Sequence, residues 1–130
     1  MISYFFLIAG LIIAVSFVVH LIGGNKEYLS IKPSRDDESF QYWLLGSCCF
    51  QMVSADLLIT AAFMLLMGLD IIPYNYHLAL FLTVIFAGYL IFWLSTLALN
   101  RAMSKYYLRL GQWTLFLSAM LLVIAGIITQ

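Results

Sequence analysis

The stretch Tyr42–Leu69, YWLLGSCCFQMVSADLLITAAFMLLMGL, decides the fold class of this chain. It is long enough to cross a bilayer as a helix, for which about 20 apolar residues suffice. Its middle nevertheless carries Gln51, Ser54, Asp56 and Thr60. A carboxylate at that depth is unfavourable because hydrocarbon offers it no water, so an ionisable residue inside a span is by default a functional candidate.

The composition of the whole chain points to the same class of protein. Of its 130 residues, 65% are hydrophobic and 9% are charged, whereas a soluble domain has about 25% charged residues. Three further apolar segments accompany the first, which gives predicted spans at about residues 2–22, 42–69, 77–99 and 112–129. The sequence therefore predicts one all-α membrane domain over residues 1–130, a four-helix antiparallel transmembrane bundle.

Turn and capping residues set the expected boundary between the first two helices. Gly23 and Gly24 suit a left-handed helix cap, so helix one is expected to end there. Ser34 followed by Asp37 resembles a capping box, which places the start of helix two near Arg35.

The basic residues predict the orientation of the chain. All six fall in two connections, the first between helices one and two and the second between helices three and four. Under the positive-inside rule both connections are cytoplasmic, so both termini and the middle connection lie on the other side. This charge bias favours a bacterial inner membrane. The six residues are Lys26, Lys32, Arg35, Arg101, Lys105 and Arg109.

Asp56 is the leading candidate for a functional residue. No Lys or Arg is expected at its depth, so no salt bridge within one chain can neutralise it. Three interpretations remain open: a protonated carboxyl that holds helices together through hydrogen bonds, an intramembrane proton or cation site, and an interface with another subunit.

The polar residues of helix two lie on two different faces. Asp56 is about 140° around the helix from Gln51. A helix that is polar on two sides should avoid lipid on both, so helix two is expected to be central in the bundle or to lie between the bundle and a partner.

A wider polar cluster accompanies Asp56 on helix two and on the other helices. Its members apart from Ser54, Thr60 and Ser118 are expected either to line a polar vestibule leading towards Asp56 or to form interhelical hydrogen bonds without a cavity. The candidates are Ser16, His20, Ser47, Gln51, Ser54, Thr60, Tyr89, Trp93, Thr96, Asn100 and Ser118.

Enzymatic and cofactor sites find little support in the sequence. His20 and His77 are expected at opposite ends of the bundle, which disfavours a bis-histidine haem. Cys48 and Cys49 point about 100° apart on a helix and do not form a redox pair. The chain has no Walker loop and no dinucleotide fingerprint. We therefore expect no catalytic activity, and the acids that dilute the first basic connection argue against nucleic-acid binding.

Two functional hypotheses follow from these patterns. In the first, the protein is a small membrane subunit or accessory that packs with partner membrane proteins, or with itself, through helix two. In the second, it is an oligomeric transporter of a small solute or ion that uses Asp56 as a proton or cation site. The lipid bilayer is the common partner in both.

Overall fold

A computed structural model of the protein describes residues 3–130, and the regular structure in this part of the chain is entirely helical. The predicted all-α class is therefore confirmed. Three helical stretches are long and apolar enough to cross a membrane, namely Tyr4–Ser30, Ser39–Gly68 and Tyr76–Leu99. The elements in chain order are α1 (Tyr4–Val19), a π-helical turn (His20–Gly24), α2 (Asn25–Ser30), α3 (Ser39–Gly68), α4 (Tyr76–Leu99), α5 (Ser104–Arg109) and α6 (Gln112–Ile128).

The first helical stretch is longer than the sequence predicts. Its expected start at Ile2 lies outside the described residues, and its expected end at Gly23 and Gly24 is wrong, because the helix continues through the π-helical turn into α2. Gly24 has helical backbone angles, with φ of −64°. A Cβ atom built on Gly24 would lie 2.9 Å from Cζ of Phe50, so this glycine serves close contact with α3 and not helix termination.

Reciprocal hydrogen bonds hold α2 against the beginning of α3. The hydroxyl of Tyr28 donates to the carbonyl oxygen of Trp43 at 3.0 Å, and Nε1 of Trp43 donates to the carbonyl oxygen of Tyr28 at 3.1 Å. The two rings stack with centroids 5.7 Å apart. Because these bonds and the ring contact join α2 to α3, they stabilise the extension of the first helix beyond the glycine pair.

The start of α3 is set by Asp37 and not by the predicted capping box. The backbone N–H of Ser39 donates to Oδ1 of Asp37 at 2.7 Å, and α3 begins at Ser39 and not near Arg35. This backbone hydrogen bond, reinforced by the Ser39 side chain, holds the pKa of the Asp37 carboxyl below its usual range. Ser34 contributes only its carbonyl oxygen, which accepts from the N–H of Asp37.

The later helices lie close to their predicted positions. Helix α4 covers Tyr76–Leu99 and α6 covers Gln112–Ile128, each within one residue of the predicted bounds. Asn75 caps α4 by accepting a hydrogen bond from the N–H of Leu78 at 3.0 Å. That bond satisfies one of the free amide groups at the helix start, which explains why the helix begins there.

Helices α1 and α6 are the inner elements of the packing, so the prediction that helix two is central in the bundle is wrong. Its alternative, a place between the bundle and a partner, stays a prediction. Helix α1 packs against both α3 and α6, and α4 packs against α6. Phe6 and Ile13 of α1 are fully buried, and Gly126 of α6 lies against the Phe6 ring. The helices thus follow the spatial order α3, α1, α6, α4. Helices α3 and α4 stand at the two ends of this arc and barely touch.

Candidate functional site

Asp56 lies near the middle of α3, on the side that turns towards α4, and its side chain is half-buried. Its backbone carbonyl accepts a hydrogen bond from the Thr60 hydroxyl at 2.9 Å. The neighbouring Leu57 is buried in the core, so α3 places Asp56 at the edge of the core and not within it. Its carboxyl group is therefore accessible from the space between α3 and α4.

That space is a cavity of about 460 Å³. It forms because α3 and α4 each pack against a different neighbour and leave a gap between themselves. Its volume falls within the roughly 300–1,000 Å³ typical of small-molecule pockets. Its lining consists of Val53, Asp56 and Leu57 from α3, Tyr89, Phe92, Trp93, Thr96 and Leu97 from α4, and Leu110 and Phe116.

Aromatic side chains form most of the wall opposite Asp56. The Phe116 ring contacts those of Tyr89 and Trp93, with centroid distances of 5.4 Å and 6.0 Å. Nε1 of Trp93 donates to the carbonyl oxygen of Leu110 at 3.2 Å, which joins α4 to the short connection before α6. Contacts of this kind fix the ring positions, so the wall is preformed.

Tyr89 supplies the hydroxyl that interacts with the Asp56 carboxyl, and both side chains line the cavity. A phenol can donate to a carboxylate or accept from a protonated carboxyl. Tyr89 can therefore serve as a hydrogen-bond partner of Asp56 in either protonation state.

Most of the other predicted polar residues satisfy their hydrogen bonds within their own helices. Each of the five hydroxyls concerned donates to a carbonyl oxygen one turn earlier, a pattern that removes its demand for a partner elsewhere. The bonds run from Ser16 to Ile12, Ser54 to Phe50, Thr60 to Asp56, Thr96 to Phe92 and Ser118 to Thr114. Asn100 behaves similarly, since its Nδ2 donates to the carbonyl oxygen of Thr96 at 2.8 Å.

The structure gathers only part of the predicted polar cluster. Asp56, Tyr89, Trp93 and Thr96 line one cavity. The remaining candidates lie outside this lining, and a vestibule that includes them stays a prediction; they are Ser16, His20, Ser47, Gln51, Ser54, Thr60, Asn100 and Ser118.

His20 belongs to a different contact, between the π-helical turn and α3. Its ring stacks on Phe50 with centroids 3.9 Å apart, and its Nε2 lies 3.3 Å from the carbonyl oxygen of Phe50. A histidine in this position joins two helices. It is not part of the lining around Asp56.

Gln51 lies on the outer face of α3, away from both the core and the cavity. Its side chain is exposed, as are those of Cys48, Ala55 and Ala62 on the same face. The two cysteines of α3 are free thiols. This outer face also exposes Leu44 and Leu58. A primary amide and small side chains are features of helix surfaces that contact other helices in membranes.

Within residues 3–130, no group of three or more His, Cys, Asp or Glu side chains is placed to hold a metal ion. The donor set around Asp56 is one carboxyl with nearby hydroxyl groups. Divalent cations bound by oxygen ligands take six or more donors, so this arrangement does not suit them.

Sequence reasoning missed the apolar wall of the cavity. Val53, Phe92, Leu110 and Phe116 are ordinary apolar residues in an apolar chain, and nothing in their spacing distinguishes them from residues that face lipid or core. The one available signal was Asp56 itself, since residues around an intramembrane acid are candidates for its surroundings.

Comparisons with known proteins add no assignment: no family model, curated protein or solved structure matches this chain.

Proposed function

We propose that this protein is a small integral membrane subunit or accessory protein that spans the bilayer four times and packs with partner membrane proteins, or with itself, through the outer face of α3. Three helical stretches have the length and composition of membrane spans. Helix α6 is the fourth span in this proposal, since its 17 residues extend about 25 Å at 1.5 Å per residue. We propose no catalytic role.

The exposed amide of Gln51 is the observation that carries the docking proposal. In lipid, an amide on this face has neither water nor a protein partner, and leaving it unsatisfied is unfavourable. An amide of a second helix removes this penalty by hydrogen bonding across the interface. Cys48, Ala55 and Ala62 are small enough to let that helix approach closely.

Replacing Gln51 with Leu tests this function directly. We expect the wild-type protein, extracted in a mild detergent, to migrate as an assembly larger than one chain. We expect the Gln51→Leu variant to shift towards the monomer, because the interhelical hydrogen bond is lost. Light scattering coupled to size-exclusion chromatography measures both states. The expected loss is about 1 kcal/mol per hydrogen bond, or roughly fivefold in association.

Gln112→Leu is the matched control, because Gln112 is also exposed but lies at the first residue of α6. This variant removes the same amide and adds the same side chain away from the proposed interface. Docking through α3 is contradicted if the wild-type chain stays monomeric and without a partner. It is also contradicted if Gln51→Leu and Gln112→Leu form assemblies of equal size.

The cavity beside Asp56 favours transport as a second candidate function. A half-buried carboxyl that opens onto a preformed cavity and faces Tyr89 can take up and release a proton or a cation. Under this proposal an oligomer moves a small solute or ion, and Asp56→Asn abolishes flux into proteoliposomes while the helical circular dichroism is retained. Undiminished flux in Asp56→Asn excludes a coupling role for the carboxyl.

The proposed orientation places both termini on the non-cytoplasmic side, and the proposed location is a bacterial inner membrane. The two basic connections support this orientation through the positive-inside rule.

A further inference from the structure

The cavity between α3 and α4 has the dimensions of an organic ligand and not of a single ion. Its volume of about 460 Å³ is many times the roughly 30 Å³ that one water occupies in the liquid. Val53 is 45% exposed and Phe92 is 75% exposed, so the cavity opens sideways along the gap between the two helices. In a bilayer this opening faces hydrocarbon, which admits hydrophobic molecules.

The charge of the lining specifies the sign of the ligand. Among the ten lining residues in the described part of the chain, Asp56 is the one acid, and none is Lys, Arg or His. A carboxylate in an apolar space is unfavourable unless an opposite charge pairs with it, and here a bound cation can supply that charge. The lining therefore complements a monovalent cation.

The aromatic wall specifies the kind of cation. Tyr89, Phe92, Trp93 and Phe116 supply four rings around a space of low polarity. Ammonium groups are attracted to the faces of such rings, and the attraction increases when water is excluded. Apolar substituents on the nitrogen can at the same time fill the space lined by Val53, Leu57 and Leu97.

We propose that the cavity between α3 and α4 binds a hydrophobic organic ammonium ion, with Asp56 as its counter-ion and the aromatic wall around its charged nitrogen. The cavity and the outer face that carries Gln51 are on different sides of α3. Binding in the cavity therefore does not depend on docking through the outer face. The ligand is a free molecule and not a lipid headgroup, because Asp56 lies near the middle of α3, away from the depth at which headgroups lie.

Calorimetric titration of the full-length protein in maltoside micelles tests the site, with benzyltrimethylammonium as the probe. These micelles carry neither charge nor ammonium groups, and empty micelles correct for partition. We expect saturable binding that weakens by about tenfold or more in Asp56→Asn, because the probe loses its counter-ion. Asp36→Asn is the matched control, since it removes an acid from the exposed connection before α3 and should bind the probe as the wild type does.

A second pair of titrations needs no substitution and remains informative even when Asp56→Asn does not fold. Neopentylbenzene has the shape of the probe but carbon in place of its charged nitrogen, and we expect it to bind the wild-type protein at least about tenfold more weakly than the ammonium ion. Equal binding of both compounds overturns the proposal, as does equal binding of the ammonium ion by folded Asp56→Asn and wild type.

Displacement of the probe by phosphatidylcholine added to the micelles assigns the site to a lipid headgroup and also overturns the proposal. Absence of saturable probe binding by wild-type protein that still assembles overturns the cavity site and leaves the Gln51 interface intact, so the two proposals fail separately.

Discussion

Single glycines differ in what their missing side chain permits, and Gly68 and Gly88 show the two extremes. A Cβ atom on Gly68 would lie 2.5 Å from the backbone nitrogen of Leu7 and 2.8 Å from its Cα, which places α1 in backbone contact with α3. Gly88, within α4, has no neighbour within 4 Å of the same position. We expect Gly68→Ala to destabilise the fold by about 1–3 kcal/mol through overpacking, and Gly88→Ala to stabilise it by about 0.4–1 kcal/mol because Ala restricts the unfolded chain.

Unfolding of both variants in detergent, followed by helical circular dichroism, measures this difference. The glycine pair is a matched comparison, because both residues are in helices and receive the same methyl group. Equal midpoints for Gly68→Ala and Gly88→Ala would show that α1 and α3 do not approach as closely as the structure places them.

Some residues of the site were identifiable from the sequence and others were not. Asp56, Tyr89, Trp93 and Thr96 carry polar atoms at helical spacing within apolar segments, and these four line the cavity. The sequence does not show whether a serine or threonine hydroxyl donates to its own helix or to another one. Ser16 and Ser118 donate within their own helices. The apolar lining residues have no polar atom to mark them.

At the scale of elements, the π-helical turn His20–Gly24 is the largest departure from expectation. A glycine pair is compatible with a helix end, but it is equally compatible with close packing. Here the contact of Gly24 with Phe50, together with the bonds between Tyr28 and Trp43, makes continuation favourable. Local propensity is weak compared with such tertiary contacts, so the sequence alone predicted the wrong end.

Helix α3 shows what element-level patterns predict and what they leave open. The two polar faces predicted from its sequence, one at Gln51 and one at Asp56, are on different sides of the helix. The Asp56 side borders the cavity, while the Gln51 side is exposed. The pattern identified both faces, but only packing showed that α3 stands at the end of the helix arc and not at its centre.

At the scale of the whole molecule, the proposed topology makes a prediction about both ends of the chain. With both basic connections in the cytoplasm, alkaline phosphatase fused after Gln130 should be active in bacterial cells, and green fluorescent protein fused at the same place should be dark. A matched pair of fusions in the connection between α4 and α6 should give the reverse result.

The outcome of these fusions distinguishes the proposed topology from its main alternatives. Phosphatase inactivity together with fluorescence at the C-terminus would contradict four spans with external termini. It would fit either the inverted orientation or a helix α6 that lies along the membrane surface instead of crossing it.

The sequence by itself determined the helical class and the apolar character of this protein. A chain with 65% hydrophobic residues and few charges satisfies its backbone hydrogen bonds most simply within helices, and hydropathy along the chain marks their approximate positions. These are properties of local segments, so local information is sufficient to predict them.

Only the tertiary structure decided which helices are central, which polar residues meet and where a cavity remains. Helices that are apolar on every side have no face that marks the core, because lipid and protein interior select the same side chains. The buried small residues of α1, together with the glycines that face it from α3 and α6, decide the packing order instead. That order separates α3 from α4 and leaves Asp56 at the edge of the resulting space.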